Sequence, residues 1–286
     1  MGKAIVIPGL VVTNPVAVVT FEGVEGILAA YYQSNVSISA SEKTALEAFV
    51  EGLIDVDLWR KMKYFYPMLG NSVDDLLLDV VNPTTDDLLS RSSYKGSCSV
   101  DNRVLKVTGD GQVPSPPYTS LNASSRFAQS LDMKDMSMIV SCTEGNVSYG
   151  FSNVLKSYPS SGDKYMIGLG RYSDGKRPSY MYAGIVSGNS VVVPSTFSEE
   201  NSYTERILCA DYDSSNCTLY KDKTISGTGA NNATNQELYK VQTFISPDND
   251  WAKYNFFAIT EHLTQSQWNS FYDLLLLFVK AVGKHS

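Results

Sequence analysis

The chain has 286 residues, 43% of them hydrophobic and 19% charged, which is enough apolar material for a packed core and unlike the composition of a disordered chain. Its 23 Lys and Arg stand against 30 Asp and Glu, a formal net charge of -7. That balance opposes the cationic, counterion-releasing contacts that hold phosphate backbones, so nucleic acid is not an expected partner.

Histidine occurs only at His262 and His285, which excludes His-rich metal centres and leaves one imidazole for a nucleophilic triad. The four cysteines, Cys98, Cys142, Cys209 and Cys217, contain no C-x-x-C pair. A zinc or redox centre is not expected, and no cofactor is implied. Cys209 and Cys217 are close enough to bridge a hairpin, but four buried thiols in a reducing compartment is the favoured expectation.

Residues 4–21 alternate β-branched runs with turn signals: Ile5-Val6-Ile7, Pro8-Gly9, Leu10-Val11-Val12, Asn14-Pro15, then Val16 to Phe21. The composition predicts strands. They form either an edge of the chain's own sheet or an arm pairing with a neighbouring molecule, with Ile5, Val6, Ile7, Val11 and Val12 as the attachment residues. Pro8-Gly9 breaks the apolar N-terminus and no cleavage region follows, so no signal peptide is expected.

From Ser39 the period becomes helical, with Ala45, Leu46, Ala48, Phe49, Val50, Leu53 and Ile54 on one stripe and a capping box at Ser39 and Glu42. Leu58 to Met62 reads as a second short helical stretch that ends by Pro67. Beyond residue 76, short apolar runs lie between polar turn clusters, for example Met138 to Cys142, Tyr165 to Leu169, Tyr180 to Val186, Arg206 to Ala210 and Phe256 to Ile259. Many short strands with polar turns predict an antiparallel sandwich. Asp213 to Lys223 reads as two hairpin turns around one strand.

The C-terminal segment is helical again: Thr264 and Gln267 form a capping box, and Trp268, Phe271, Tyr272, Leu275, Val279 and Val282 form the buried face. The run Leu274 to Phe278 is apolar all round, which predicts one turn covered on more than one side. It is far shorter than the ~20 residues of a membrane span, so no membrane insertion is expected. The chain thus divides into an N-terminal β arm at 1–38, a helical segment at 39–75, and a sandwich with a C-terminal helix at 76–286.

This order of pieces, with Leu58-Trp59-Arg60-Lys61-Met62, Tyr66-Pro67-Met68-Leu69-Gly70, Phe256-Phe257-Ala258-Ile259 and a helix ending Ala281-Val282-Gly283, resembles the virion structural proteins of tailed phages. The likeness is strongest to those of crAss-like and other gut Bacteroidales phages, which carry a concanavalin A-like (laminin G-like) jelly roll. It extends over residues 40–283, and is best at 42–70 and 206–283. The fold class it implies is mainly β: an antiparallel concanavalin A-like jelly-roll sandwich with an N-terminal strand arm and flanking helices. The implied role is a non-enzymatic part of a virion, as head fibre, capsid decoration or tail appendage, assembled in the bacterial host cytoplasm. Its implied partners are other virion proteins, with the chain itself in a homo-oligomer. The alternative is a carbohydrate-binding module for host surface polysaccharide, and a glycan hydrolase stands third.

Candidate chemistry is sparse. Asp74-Asp75, Asp86-Asp87 and Glu199-Glu200 are adjacent pairs, which on a strand face opposite ways and do not make the paired carboxylates of a retaining glycosidase. No catalytic or metal-binding residue is assigned. Asp211, Asp213, Asp248 and Asp250 are loop carboxylates considered for calcium, and solvated turn positions are the simpler reading of them. His262 reads as a loop residue before the helix cap. Tyr158, Tyr165, Tyr172, Tyr180, Tyr182 and Trp251 supply rings for stacking on sugars or for the core; Tyr172, Tyr182 and Trp251 are the candidate glycan contacts.

Overall fold

The computed structural model describes residues 23–83, 90–93, 97–102, 104–108, 119–122, 131–132, 135–146, 150–159, 165–173, 179–187, 190–191, 199–200, 206–230, 237–242 and 251–284. The attachment residues Ile5, Val6, Ile7, Val11 and Val12, and the loop carboxylates Asp86, Asp87, Asp248 and Asp250, lie outside them.

In chain order the elements are α1 (Gly23–Ser34), α2 (Ala40–Asp55), β1 (Met62–Tyr66), α3 (Val73–Leu76), β2 (Ser90–Ser93), β3 (Ser97–Asp101), β4 (Val104–Thr108), β5 (Thr119–Asn122) and β6 (Leu131–Asp132). Then follow β7 (Met136–Asn146), β8 (Gly150–Pro159), β9 (Tyr165–Ser173), β10 (Ser179–Ser187), β11 (Ser190–Val191), β12 (Glu199–Glu200) and β13 (Arg206–Tyr212). The last are β14 (Asn216–Lys221), β15 (Thr224–Ala230), β16 (Glu237–Gln242), β17 (Trp251–Thr260) and α4 (Gln265–Ala281).

The strands form an antiparallel, jelly-roll type sandwich. An eight-stranded sheet runs β15-β14-β13-β7-β17-β4-β3, with β1 also paired to β17, and a seven-stranded sheet runs β11-β10-β9-β8-β16-β6, with β12 paired to β10. A short β2–β5 pair stands apart. The predicted fold class is therefore observed, with helices flanking the sandwich.

Strand alternation gives the first sheet two buried faces. Ile139, Ile207, Cys209, Tyr220, Phe256 and Ala258 join one hydrophobic cluster with Leu46, Phe49, Val50 and Leu53 of α2 and Trp268, Phe271, Leu275 and Phe278 of α4. The alternate residues Met138, Val140, Leu208, Ala210, Leu219, Phe257 and Ile259 are also buried, on the side where β13 and β14 meet β9 and β10 of the second sheet. Phe49 is the hub of the helical layer, with ring centroids 5.1 Å from Phe65, 5.2 Å from Phe278 and 5.9 Å from Phe271. Each such ring removed from water contributes about 1.5 to 3 kcal/mol.

Three expectations are corrected. Within the segment 1–38 assigned to a β arm, residues 23–34 form α1; Leu28 and Tyr31, three apart, are both buried, which is helical spacing. Met62 to Tyr66, read as the end of a helical stretch, is strand β1 after a single 3-10 turn at Trp59–Lys61. Its aromatic residues pair with β17, Phe65 opposite Ala258 and Tyr66 opposite Phe257, and that tertiary pairing decides its conformation. In α4, Leu275 is buried but Leu277 is 66% exposed, because two residues along a helix turn a side chain through about 200°.

Candidate functional site

The candidate glycan residues fall on both sheets. Tyr172 lies on β9, directly opposite Tyr180 of β10 and Phe151 of β8. Glu199 of β12 continues the row opposite Tyr180, so Phe151, Tyr172, Tyr180 and Glu199 share one line across four strands. Directly paired residues share a face. The next row on that face is Asn153, Gly170 and Tyr182, and the one after it Lys156, Gly168 and Gly184. The opposite face carries Arg171 and Met181, Leu155, Leu169 and Ala183, then Ile167 and Ile185. Trp251 starts β17 in the other sheet, opposite Thr108 and Asn146; Tyr172 and Tyr182 are therefore brought onto one face and Trp251 is not among them.

A second cluster lies where β13 and β7 meet the loop into α4. Asp211 is buried, and its Oδ1 accepts from Ser137 Oγ at 2.5 Å and from the Leu263 amide at 3.0 Å. Its Oδ2 lies 2.8 Å from His262 Nδ1. The His262 amide donates to Asp135 Oδ1 at 3.0 Å. Burial pushes the Asp211 carboxyl up, while Ser137, Leu263 and His262 act in the opposite direction. The arrangement is not a nucleophilic triad: the Ser137 hydroxyl is spent on the carboxylate, and among the described residues no hydroxyl is hydrogen-bonded to the imidazole. What it does is hold the chain into α4 against the sheet.

This cluster was not legible in the sequence: Asp211, read there as a solvated loop carboxylate, is a buried residue of β13, and Ser137 and His262 lie 74 and 51 residues from it. Asp213 serves its own turn, accepting the Ser215 and Asn216 amides at 2.6 Å each. Partial burial raises that carboxyl, but those amides outweigh it and hold it below the usual range. Among the described residues no three His, Cys, Asp or Glu side chains converge to hold a metal. Asp74 and Asp75 occupy the first turn of α3, and Glu199 and Glu200 are the two residues of β12. No helix among the described residues is long and apolar enough to cross a membrane.

No family model matches the sequence, and no curated protein matches it. Among solved structures the chain is similar to a Trypanosoma rangeli sialidase in complex with 2,3-difluoro-KDN, with a TM-score of 0.51, 14% identity and 76% of this chain against 33% of that one. The same sialidase in complex with sialic acid gives 0.51, 13%, 76% and 33%. The binding domain of Botulinum Neurotoxin DC in complex with SialylT gives 0.51 at 10% identity, with 75% of this chain and 51% of that one. The chain thus spans about a third of the sialidase and half of the toxin domain. These likenesses establish the sandwich fold.

Proposed function

We propose that the chain is a non-enzymatic glycan-binding module whose contact surface is the tyrosine-bearing face of β8, β9 and β10. The observation that carries this reading is the row Phe151, Tyr172, Tyr180 and Glu199, adjoined by Tyr182 and Asn153. Sugar rings present apolar C–H faces and hydroxyl edges, and aromatic residues beside a carboxylate, an amide and an ammonium suit both. Gly168, Gly170 and Gly184, which carry no side chains, occupy the neighbouring positions on that face. The other face holds Leu155, Leu169, Ala183, Ile167 and Ile185, the set suited to closing the sandwich against Val140, Leu208 and Leu219.

A toxin binding domain of the same fold is described in complex with a sialylated ligand, which supports the same class of ligand here. The sequence resemblance adds a setting, a phage particle on which such a module would hold host surface polysaccharide. Glycan-array binding by the pure protein tests the reading. Tyr172→Ala and Tyr182→Ala are expected to weaken the strongest array ligand at least tenfold with an unchanged thermal transition. Absence of any array ligand, or binding indifferent to both substitutions, overturns it. Release of reducing ends from a bound glycan, abolished by one Asp or Glu substitution, would overturn the non-enzymatic part.

A further inference from the structure

A buried oxygen cluster lies where α1, α2 and α3 meet, on elements that take no part in the proposed glycan face. Asn35, one residue past α1, is 1% exposed. Its amide orientation follows from its partners, since Nδ2 donates to Leu69 O and to the Tyr31 hydroxyl, each at 3.0 Å. Oδ1 is thereby left buried and without a hydrogen-bond partner. An orphaned buried acceptor carries an uncompensated desolvation penalty, so such an atom calls for an occupant.

Oδ1 lies close beside Gly70. A Cβ built there would stand 3.0 Å from it, 2.8 Å from Ser37 Oγ and 2.7 Å from Asp75 Cβ, and the residue's φ of +103° suits glycine. Two buried carboxylates approach Gly70, Asp75 through its Cβ and Glu42 through Oε1. Asp75 accepts Ser37 Oγ at 2.5 Å and Ser72 Oγ at 2.6 Å, both through Oδ2, so Oδ1 lies outside these bonds. Glu42 gives Oε2 to the Ser39 amide at 2.8 Å and hydroxyl at 2.7 Å, and turns Oε1 toward the Gly70 amide at 3.5 Å.

We propose that this cluster is a calcium site, with Asn35 Oδ1, Glu42 Oε1 and Asp75 Oδ1 as its protein ligands. The donors are all oxygen, two of them carboxylate, which suits a hard divalent cation and not zinc or copper. A cation there would give Asn35 Oδ1 its missing partner and neutralise charge in a low-dielectric pocket. It would also tie the α1–α2 connection to the loop before α3.

The test uses the full chain, stripped with chelator and dialysed. Added CaCl2 is expected to raise the thermal midpoint, because a ligand that binds only the folded state stabilises it. Terbium, standing in for calcium, is expected to give tyrosine-sensitised luminescence that calcium displaces. Glu42→Gln, which keeps an acceptor for the cap, should weaken the terbium titration at least tenfold. Asn35→Asp, which adds a carboxylate in the same shape, should strengthen it. If neither calcium nor terbium has an effect on the wild-type chain, or if both variants titrate like it, the proposal falls and a buried water is the partner of Asn35 Oδ1.

Discussion

His262 Nδ1 stands 2.8 Å from Asp211 Oδ2, joining the loop into α4 to strand β13 across 51 residues of sequence. The same carboxylate takes the Leu263 amide and the Ser137 hydroxyl on its other oxygen, so three donors from two other elements depend on one buried side chain. Asp211→Ala strips the acceptor from all three and leaves the buried Leu263 amide unpaired, while the half-buried His262 ring can turn to water and the Ser137 hydroxyl keeps only its 3.4 Å contact with the Glu261 carbonyl. The expected loss is about 3 kcal/mol of unfolding free energy, read from urea denaturation. Ser137→Ala, which removes one donor and leaves two in place, should cost about 1 kcal/mol. Equal losses for the two variants would show that Asp211 is not the hub.

Asp79 gives stability a pH dependence of unusual sign for a carboxylate. It is buried, accepts the Phe65 and Val81 amides at 2.9 and 3.0 Å, and is pushed up to about 7, by burial foremost and against the pull of those amides. Its unfolded value is near 3.8, so the folded state holds the proton more tightly. The stabilisation is full below pH 3.8 and is lost as pH rises through about 7. Denaturation midpoints of Asp79→Asn, relative to wild type, should show the wild type losing ground between pH 4 and 7. A wild type that gains relative to the variant over that range would mean the carboxyl is held ionised.

The thiols at Cys209 and Cys217 are free and buried, and register explains why they do not bridge: Cys209 pairs with Tyr220, and Cys217 with Tyr212. Burial pushes the Cys217 thiol up to about 12 and the Cys209 thiol well above its ordinary value. Thiolate is the reactive form. Titration with a thiol reagent should therefore leave these two unmodified in the native protein. Denaturing, non-reducing conditions should yield a count of four, and a count of two would require a disulfide.

Local chemistry made several elements legible before any coordinates. The capping boxes at Ser39–Glu42 and Thr264–Gln267 open α2 and α4, where hydroxyl and carboxyl or amide satisfy each other's backbone neighbours. Asp213 to Lys223 folds as two turns around β14, with Asp222 in the left-handed region at φ 53°. Met62 to Tyr66 was illegible because its partner strand lies about 200 residues on, and nothing local separates a β-rich run from a helix end. The Asp211 cluster and the Asn35 pocket failed for the same reason. Each is assembled from residues that only the sheet order or the helix packing brings together.

Lys284 offers the last prediction, at the far end of the chain. It is a buried lysine whose ammonium donates to the carbonyls of Pro67, Met68 and Asn255, and Asn255 Nδ2 returns a bond to the Lys284 carbonyl at 2.9 Å. Gly283, with φ 71°, ends α4 and turns the chain so that the lysine enters this cage. Met68 has φ 52°, a conformation that costs a non-glycine residue free energy and persists where its surroundings hold it. Lys284 thus fixes the turn between β1 and α3 as well as its own segment. Lys284→Met keeps the apolar stem but strips donors from buried carbonyls, with an expected loss of about 3 kcal/mol. Amide exchange should quicken at Leu69 and Gly70, just beyond the turn, as well as near the C-terminus. If the variant loses stability while exchange quickens only in the last turn of α4, Lys284 holds its own segment and not the Pro67–Met68 turn.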